Sequence, residues 1–324
     1  MRENEQVNGK TRTPRSVIPR NQSGTAPQRL LTVLFGDYWL GRADPIPSSA
    51  LVELLSVFGV SETGARAAVQ RLAQRGFLVA HRQGRRTSYA VQRETRETVA
   101  LHVKRLFHSH HPPAWDGTWT LVSYMLPGQE TSDRRLLRDE LRNLKFGNLS
   151  DGVWIRPGDQ VEEVVATLQR LDADADNDVG VFRQGVLAWP SSVHHVRAAF
   201  DADGLDEEYR KFADFWSPQA HALEREPISG ENALRLRTEV MSAWRTLVRK
   251  DPQLPADLLS DPAPIQLAAT TCAVLYDALG SPAEHAVRRI LERHSPELAE
   301  MVSHHTFASS LSVIESASSG SATL

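Results

Sequence analysis

Between Ser61 and Gln74 the side chains Thr63, Arg66, Ala67, Gln70, Arg71 and Gln74 recur at helical spacing on one side. Arginine can donate two hydrogen bonds to paired acceptors, glutamine can donate and accept together, and alanine and threonine offer methyl groups. These are the chemistries that distinguish base pairs in a major groove. Ala65, Ala68, Val69 and Leu72 fall on the opposite side and are the expected core face. Gly64, Ala65, Ala67 and Ala68 are small enough for a close approach on either side. Ser61 is the expected N-cap. Base reading is expected mainly from Thr63 to Gln70. A second basic group follows in Arg82-Gln-Gly-Arg-Arg86, a turn centred on Gly84 between the strand-like runs Phe77–His81 and Thr87–Val91. Arg82, Arg85 and Arg86 stand at a hairpin tip, where phosphates or a minor groove would pass. Tyr89 is expected to pack on the base of that hairpin or to donate to a phosphate. Any one of these arginines suits an ordinary solvated face. The ordered set of short turn, small-residue helix with an Arg/Gln face and basic hairpin points to duplex DNA.

Other chemistry-bearing residues carry less. His108, His110 and His111, with His102 nearby, lack a cysteine or carboxylate that would complete a metal site. His194-His195 reads the same way. Asp172, Asp174, Asp176 and Asp178 alternate like a calcium loop but lack its glycine and closing glutamate, so a solvated turn is expected. Cys272 lies among Ala and Val residues, as a buried structural thiol would. There is no phosphate-cradling glycine loop and no nucleophile elbow. No catalytic residue, metal or cofactor is expected, and the chain reads as a non-enzyme.

The elements that must position the first set are legible. Arg29 to Leu40 is an apolar helix. A second helix starts at Pro47-Ser48-Ser49, with Ser48 or Ser49 as cap, buries Leu51, Val52, Leu54, Leu55 and Phe58, and stops at Gly59. Two helices joined by so tight a turn, then a hairpin, predict a winged helix-turn-helix over residues 28–92. Residues 1–27 read as a disordered basic arm and 93–114 as a helical linker ended by Pro112-Pro113. Over 115–195, strands at Trp119–Met125, Gly152–Ile155, Val179–Phe182 and Val186–Trp189 alternate with helices at Asp133–Leu144 and Val161–Leu171, which predicts a ferredoxin-like domain. Residues 205–307 read as helices at Leu205–Trp216, Glu231–Lys250, Ile265–Leu279 and Pro282–Arg293, and 308–324 as a flexible tail. The fold class expected is α+β multidomain.

Charge supports the division. Of the 324 residues, the first 110 carry 17 Lys+Arg against 8 Asp+Glu, and the remainder 20 against 32. One end is suited to a polyanion and the rest to solubility. With a single cysteine, no apolar run of membrane-spanning length and a polar, basic N-terminus, a cytoplasmic location is expected.

Several of these segments together resemble the PaaX family of repressors: Leu34-Phe-Gly-Asp37, Phe58-Gly-Val-Ser-Glu62, Arg66-Ala-Ala-Val69, Arg71-Leu72 and Gly84-Arg-Arg-Thr-Ser-Tyr89. The likeness continues through Trp115-Asp-Gly-Thr-Trp119, Phe146-Gly147, Gly152-Val-Trp-Ile155, Trp244-Arg245 and Asp251-Pro-Gln-Leu-Pro255. After Leu259 it departs, with Asp261-Pro-Ala-Pro264 where the family usually has a Trp-Pro-Gly-like turn. The resemblance implies a winged helix, a middle domain similar to Cas2 and a helical C-terminal effector and dimerisation domain. It further implies a homodimeric repressor of an aromatic-catabolism operon, such as that for phenylacetate, released from operator DNA by an aryl-CoA thioester such as phenylacetyl-CoA. By residue type and resemblance, the candidate effector contacts are Trp119, Tyr124, Trp154, Trp216 and Arg245, although aromatics at these spacings are also plain core. Two competing readings stay open. One is a Cas2-like metal-dependent nuclease that the winged helix recruits to DNA. The first strand of the middle domain ends Tyr124-Met125-Leu126-Pro127, without the carboxylate such chemistry needs. The other is a winged helix serving only protein contacts.

Overall fold

A computed structural model describes residues 27–109, 114–124, 132–171, 179–187, 193–228, 230–259 and 261–308. The expected basic arm before residue 27, His110-His111, the aspartate run 172–178 and the expected tail from residue 309 lie outside them.

Amphipathic patterning accounts for the first unit. Helices α1 (Pro27–Tyr38), α2 (Ser48–Ser56) and α3 (Glu62–Gln74) turn Leu30, Leu31, Leu34, Leu51, Leu54, Leu55, Ala65, Ala68, Val69 and Leu72 into one buried cluster. Gly59, at φ +74°, ends the turn after α2 in a left-handed conformation that a side chain would disfavour. Ser61 caps α3, its Oγ accepting from Gly64 N at 3.2 Å. Neither Ser48 nor Ser49 caps α2, contrary to expectation. Pro47 takes that position without a side-chain bond, and Ser49 Oγ meets His294 Nδ1 at 2.9 Å instead. Strands β2 (Leu78–Gln83) and β3 (Arg86–Val91) form the hairpin. A two-residue strand the sequence did not signal, β1 (Ile46–Pro47), pairs with β3 to give the order β1-β3-β2.

Helix α4 (Arg93–His108) leads to a four-stranded sheet. Its elements are β4 (Trp119–Tyr124), α5 (Ser132–Asn143), β5 (Gly147–Ser150), β6 (Val153–Pro157), α6 (Val161–Arg170) and β7 (Val179–Gly185). The order β5-β6-β4-β7, with every neighbour antiparallel, is the ferredoxin-like βαββαβ arrangement. Two expectations are corrected. β5 was not anticipated, because Gly-Asn-Leu-Ser is too short and polar to show alternation. The run expected at Val186–Trp189 is not a strand at its described residues 186–187; β7 ends at Gly185.

The remaining helices are α7 (Val193–Ala199), α8 (Ala202–Arg225), α9 (Glu231–Lys250), α10 (Ala263–Ala278), α11 (Gly280–Glu292) and α12 (Pro296–Glu300), with a 3-10 turn at Ala256–Leu258. α8 was expected to stop at Trp216. It runs through Pro218 because Ala220 and Leu223 beyond it pack into core, and that burial outweighs the hydrogen bond the proline forfeits.

Packing joins these parts. The α1–α3 core continues into Ala233 and Leu234 of α9 and Ala283, Val287, Ile290 and Leu291 of α11. Val33, Leu106 and Phe107 from α1 and α4 enter the core of α8, α9 and α10. One face of the sheet packs on α5 and α6, and the other on Val196, Ala202, Leu254 and Leu258. The Asp251-Pro-Gln-Leu-Pro255 segment therefore seals a sheet face. Asp251 accepts from Tyr209 Oη at 2.7 Å and from Gln253 N at 2.6 Å, while Leu254 fills the interior.

Candidate nucleic-acid interface

On α3, Ala65, Ala68, Val69 and Leu72 are buried, while Thr63, Arg66, Gln70, Arg71 and Gln74 are exposed and Ala67 is half-buried. Ser61, at the cap, is exposed as well. The helix thus turns a polar face with two guanidiniums and two carboxamides to solvent. Arg66 is held by its own helix, donating to Glu62 Oε1 from Nε at 3.0 Å and from Nη2 at 2.6 Å. Sequence reasoning passed over Glu62, although the i,i+4 spacing signals the pair. The Arg71 side chain makes no hydrogen bond or ion pair among the described residues.

The hairpin brings the second basic group together. β2 and β3 pair from Leu78–Val91 to Gln83–Arg86, leaving Gly84-Arg85 as a two-residue turn. Gly84 has φ +58°, the conformation such a turn requires. Arg82, Arg85 and Arg86 are exposed there, their side chains also without a hydrogen bond or ion pair among the described residues. Tyr89 is half-buried, and its ring packs on the α1–α3 core.

The presenting unit is braced from the C-terminal helices, which the sequence did not indicate. Arg235 on α9 donates to Val57 O, at the end of α2, from Nη2 at 2.7 Å and Nε at 3.2 Å. Glu53 on α2 accepts from Arg293 and from His294 Nε2 at 2.6 Å. Burial alone would raise the Glu53 pKa, but these two donors outweigh it and hold the carboxyl below its ordinary range.

The five candidate effector contacts are not brought to one place. Trp119 lies on the sheet face that packs on Leu254 and Leu258, whereas Tyr124 and Trp154 lie on the opposite face, with Trp154 Nε1 donating to Tyr124 Oη at 3.3 Å. Trp216 is in the α8–α10 core. Arg245 lines a cleft between α1, α4 and α9. Cys272 is fully buried, and that burial drives its thiol pKa well up. His108 Nδ1 contacts Lys104 O at 2.7 Å within its own helix. Among the described residues no three His, Cys, Asp or Glu side chains cluster to hold a metal ion, and no helix is long and apolar enough to cross a membrane.

Comparisons with known proteins bear on most of the chain. Residues 26–94 match the family model described as PaaX-like protein, residues 112–195 the PaaX protein central Cas2-like domain, and residues 200–289 the PaaX-like protein C-terminal domain. The transcriptional repressor PaaX of Escherichia coli (strain K12) is 27% identical over 245 residues, covering 73% of this chain and 74% of that protein. An uncharacterized protein from Mycobacterium tuberculosis, 20% identical, superposes over 81% of this chain and 98% of its own with a TM-score of 0.49. With three successive family models spanning its two basic elements, its sheet and its C-terminal helices, the chain belongs to the PaaX family.

Proposed function

We propose that this chain is a transcriptional repressor that binds operator DNA through a winged helix-turn-helix. In this reading α2 and α3 are the helix-turn-helix pair and the β2–β3 hairpin is the wing. The observation that carries the reading is the solvent face of α3, Thr63, Arg66, Gln70, Arg71 and Gln74, followed at once by a hairpin tip bearing Arg82, Arg85 and Arg86. Ser61 and Ala67 complete the base-proximal surface, and α3 enters the major groove while the wing arginines meet phosphate. The name of the Escherichia coli relative supports the repressor role. The repressor acts as a homodimer on an inverted repeat, in an aromatic-catabolism operon, and an aryl-CoA thioester releases it.

The test is fluorescence anisotropy on DNA upstream of the protein's own gene, with scrambled DNA as control and with added acyl-CoAs and free aromatic acids. Specific, salt-sensitive binding that an aryl-CoA weakens is expected. Equal affinity for scrambled DNA would remove the repressor reading, and indifference to every acyl-CoA would remove the effector.

A further inference from the structure

Helix α10 is apolar nearly all the way round. Of its 16 residues, Ala263 to Ala278, only Asp277 carries a charge. A helix of that composition is normally buried on every side. Here one side is buried: Ala268, Ala269, Cys272, Leu275 and Tyr276 enter the core shared with α8 and α9. The other side is open. Leu267 and Val274 are 54% and 45% exposed, in line with exposed Ala263, Thr270 and Ala278. Asp277 stands at the edge of this stripe, half-buried, its carboxylate accepting from Phe307 N at 2.8 Å and Ala308 N at 3.3 Å.

The neighbouring helices differ. Exposed Lys211 and Asp214 on α8, Glu231 and Arg249 on α9, and Arg289 and Glu292 on α11 give each the charged outer face of a surface helix. A single exposed apolar side chain is unremarkable. Leu101 on α4 is 61% exposed, but it lies within one helical turn of exposed Glu97, Lys104 and Arg105. The α10 stripe is continuous along its helix and uncharged.

Its spacing says what fits. Ala263, Leu267, Thr270 and Val274 follow at intervals of four, three and four, the spacing at which one helix seats its side chains between those of another. The sizes from Ala263 to Ala278 run small, large, small, large, small. A second α10, laid antiparallel about a twofold axis between Thr270 and Thr271, sets Leu267 of each copy against Val274 of the other, and Ala263 against Ala278. A twofold contact needs a self-complementary patch, and this stripe opposes no charge to itself. Antiparallel packing also aligns the two helix dipoles favourably. A charged partner would bury its charges against side chains that cannot pair with them.

We infer that α10 is the seam between two copies of this chain, packed antiparallel along Ala263, Leu267, Thr270, Val274 and Ala278. The inference rests on the proposed homodimer and names the face that forms it. The seam is tied to the DNA-presenting unit through α9, which shares Val240, Met241 and Trp244 with the α10 core and Ala233 and Leu234 with the α1–α3 core. Joining two α10 helices thereby sets the separation of the two α3 helices.

The test is sedimentation equilibrium of the full chain without DNA, over a range of concentrations. The wild type is expected to be a dimer. Leu267→Lys is expected to weaken self-association at least tenfold while keeping the wild-type circular dichroism, and Leu101→Lys to leave it unchanged. Leu267→Lys combined with Val274→Glu is expected to restore the dimer, because each lysine then opposes a glutamate of the other copy. A parallel seam would put like charges together and give no rescue. Should Leu267→Lys misfold, Thr270→Arg, at an exposed position, decides in the same way. A monomeric wild type overturns the seam and the proposed homodimer together, leaving the stripe to another segment of the chain or to a different protein. A wild-type dimer that persists in Leu267→Lys overturns the seam alone. Loss of the dimer in Leu267→Lys without rescue by the second change overturns the antiparallel arrangement. If the folded monomeric variant binds operator DNA as tightly as wild type, the proposed need for two copies on DNA falls and the seam is upheld.

Discussion

Tyr276 donates its phenolic hydrogen to Asp37 Oδ1 at 2.8 Å, joining α10 to α1 across 239 residues of sequence. Arg237 lies in the same fully buried cluster. Its guanidinium stacks over the Tyr276 ring at 3.7 Å, donates to Tyr276 O at 3.1 Å and His305 O at 2.5 Å, and stands 3.9 Å from Asp37. Burial raises the Asp37 pKa, against the opposing pull of Arg237 and the Tyr276 hydrogen bond. A buried charge stripped of its partner is expensive, so Arg237→Met is expected to cost about 3 kcal/mol or more, and Tyr276→Phe about 1–3 kcal/mol. Urea denaturation of the two variants should show that order. A neutral Arg237→Met would mean the cluster does not hold α1 to the C-terminal helices.

Stability should depend on pH through His102. Its folded pKa of about 4 lies below the ordinary 6.5, so between those values the unfolded chain binds more protons. Stability from this group is expected to be complete above about pH 6.5 and to fall as the pH drops toward 4, by about 1–3 kcal/mol in all. Thermal melts between pH 5 and 8 check this, and His102→Gln should flatten the slope.

The seam between α2 and α11 should loosen in acid. Glu53, held below its ordinary pKa by Arg293 and His294, stabilises the seam above about pH 4.5, and the contribution disappears as the pH falls through the folded value. Because these groups are partly exposed, Glu53→Gln is expected to cost about 1 kcal/mol or less at neutral pH. Hydrogen exchange in α2 should quicken in the variant, and unchanged protection would show that the apolar seam alone suffices.

On DNA, the two basic groups should separate in kind. Arg66→Ala is expected to relax sequence preference by about 1–3 kcal/mol at one base pair. Arg85→Ala should weaken every sequence alike and reduce the salt slope by about 1. Glu62→Gln removes the carboxylate that orients Arg66, and should tighten binding to scrambled DNA while lowering the preference for the operator. Affinities at several salt concentrations distinguish these outcomes; identical changes across all three variants would contradict the division.

Local features were readable because they depend on neighbours in sequence. Ala65, Ala68, Val69 and Leu72 repeat at helical spacing and are buried, and Gly84 marks the turn of the hairpin. β1 and β5 were not readable. Ile46–Pro47 is too short to show a period, and Gly147–Ser150 is a strand only because β6 pairs with it. The helix expected over Leu205–Trp216 continues through Pro218 to Arg225 because of what its far side meets.

The sequence by itself determined the polar face of α3, the basic hairpin tip and the amphipathic helices, all consequences of residue type and period over a few turns. Only the tertiary structure decided that Arg235 would close on Val57, that Asp37 would meet Tyr276 and Arg237, and that Arg245 would line an apolar cleft while Trp119 and Trp216 lay in cores apart from the one Tyr124 and Trp154 share. Those pairings join residues far apart in the chain. They are set by which apolar faces pack together, and no local pattern encodes that choice.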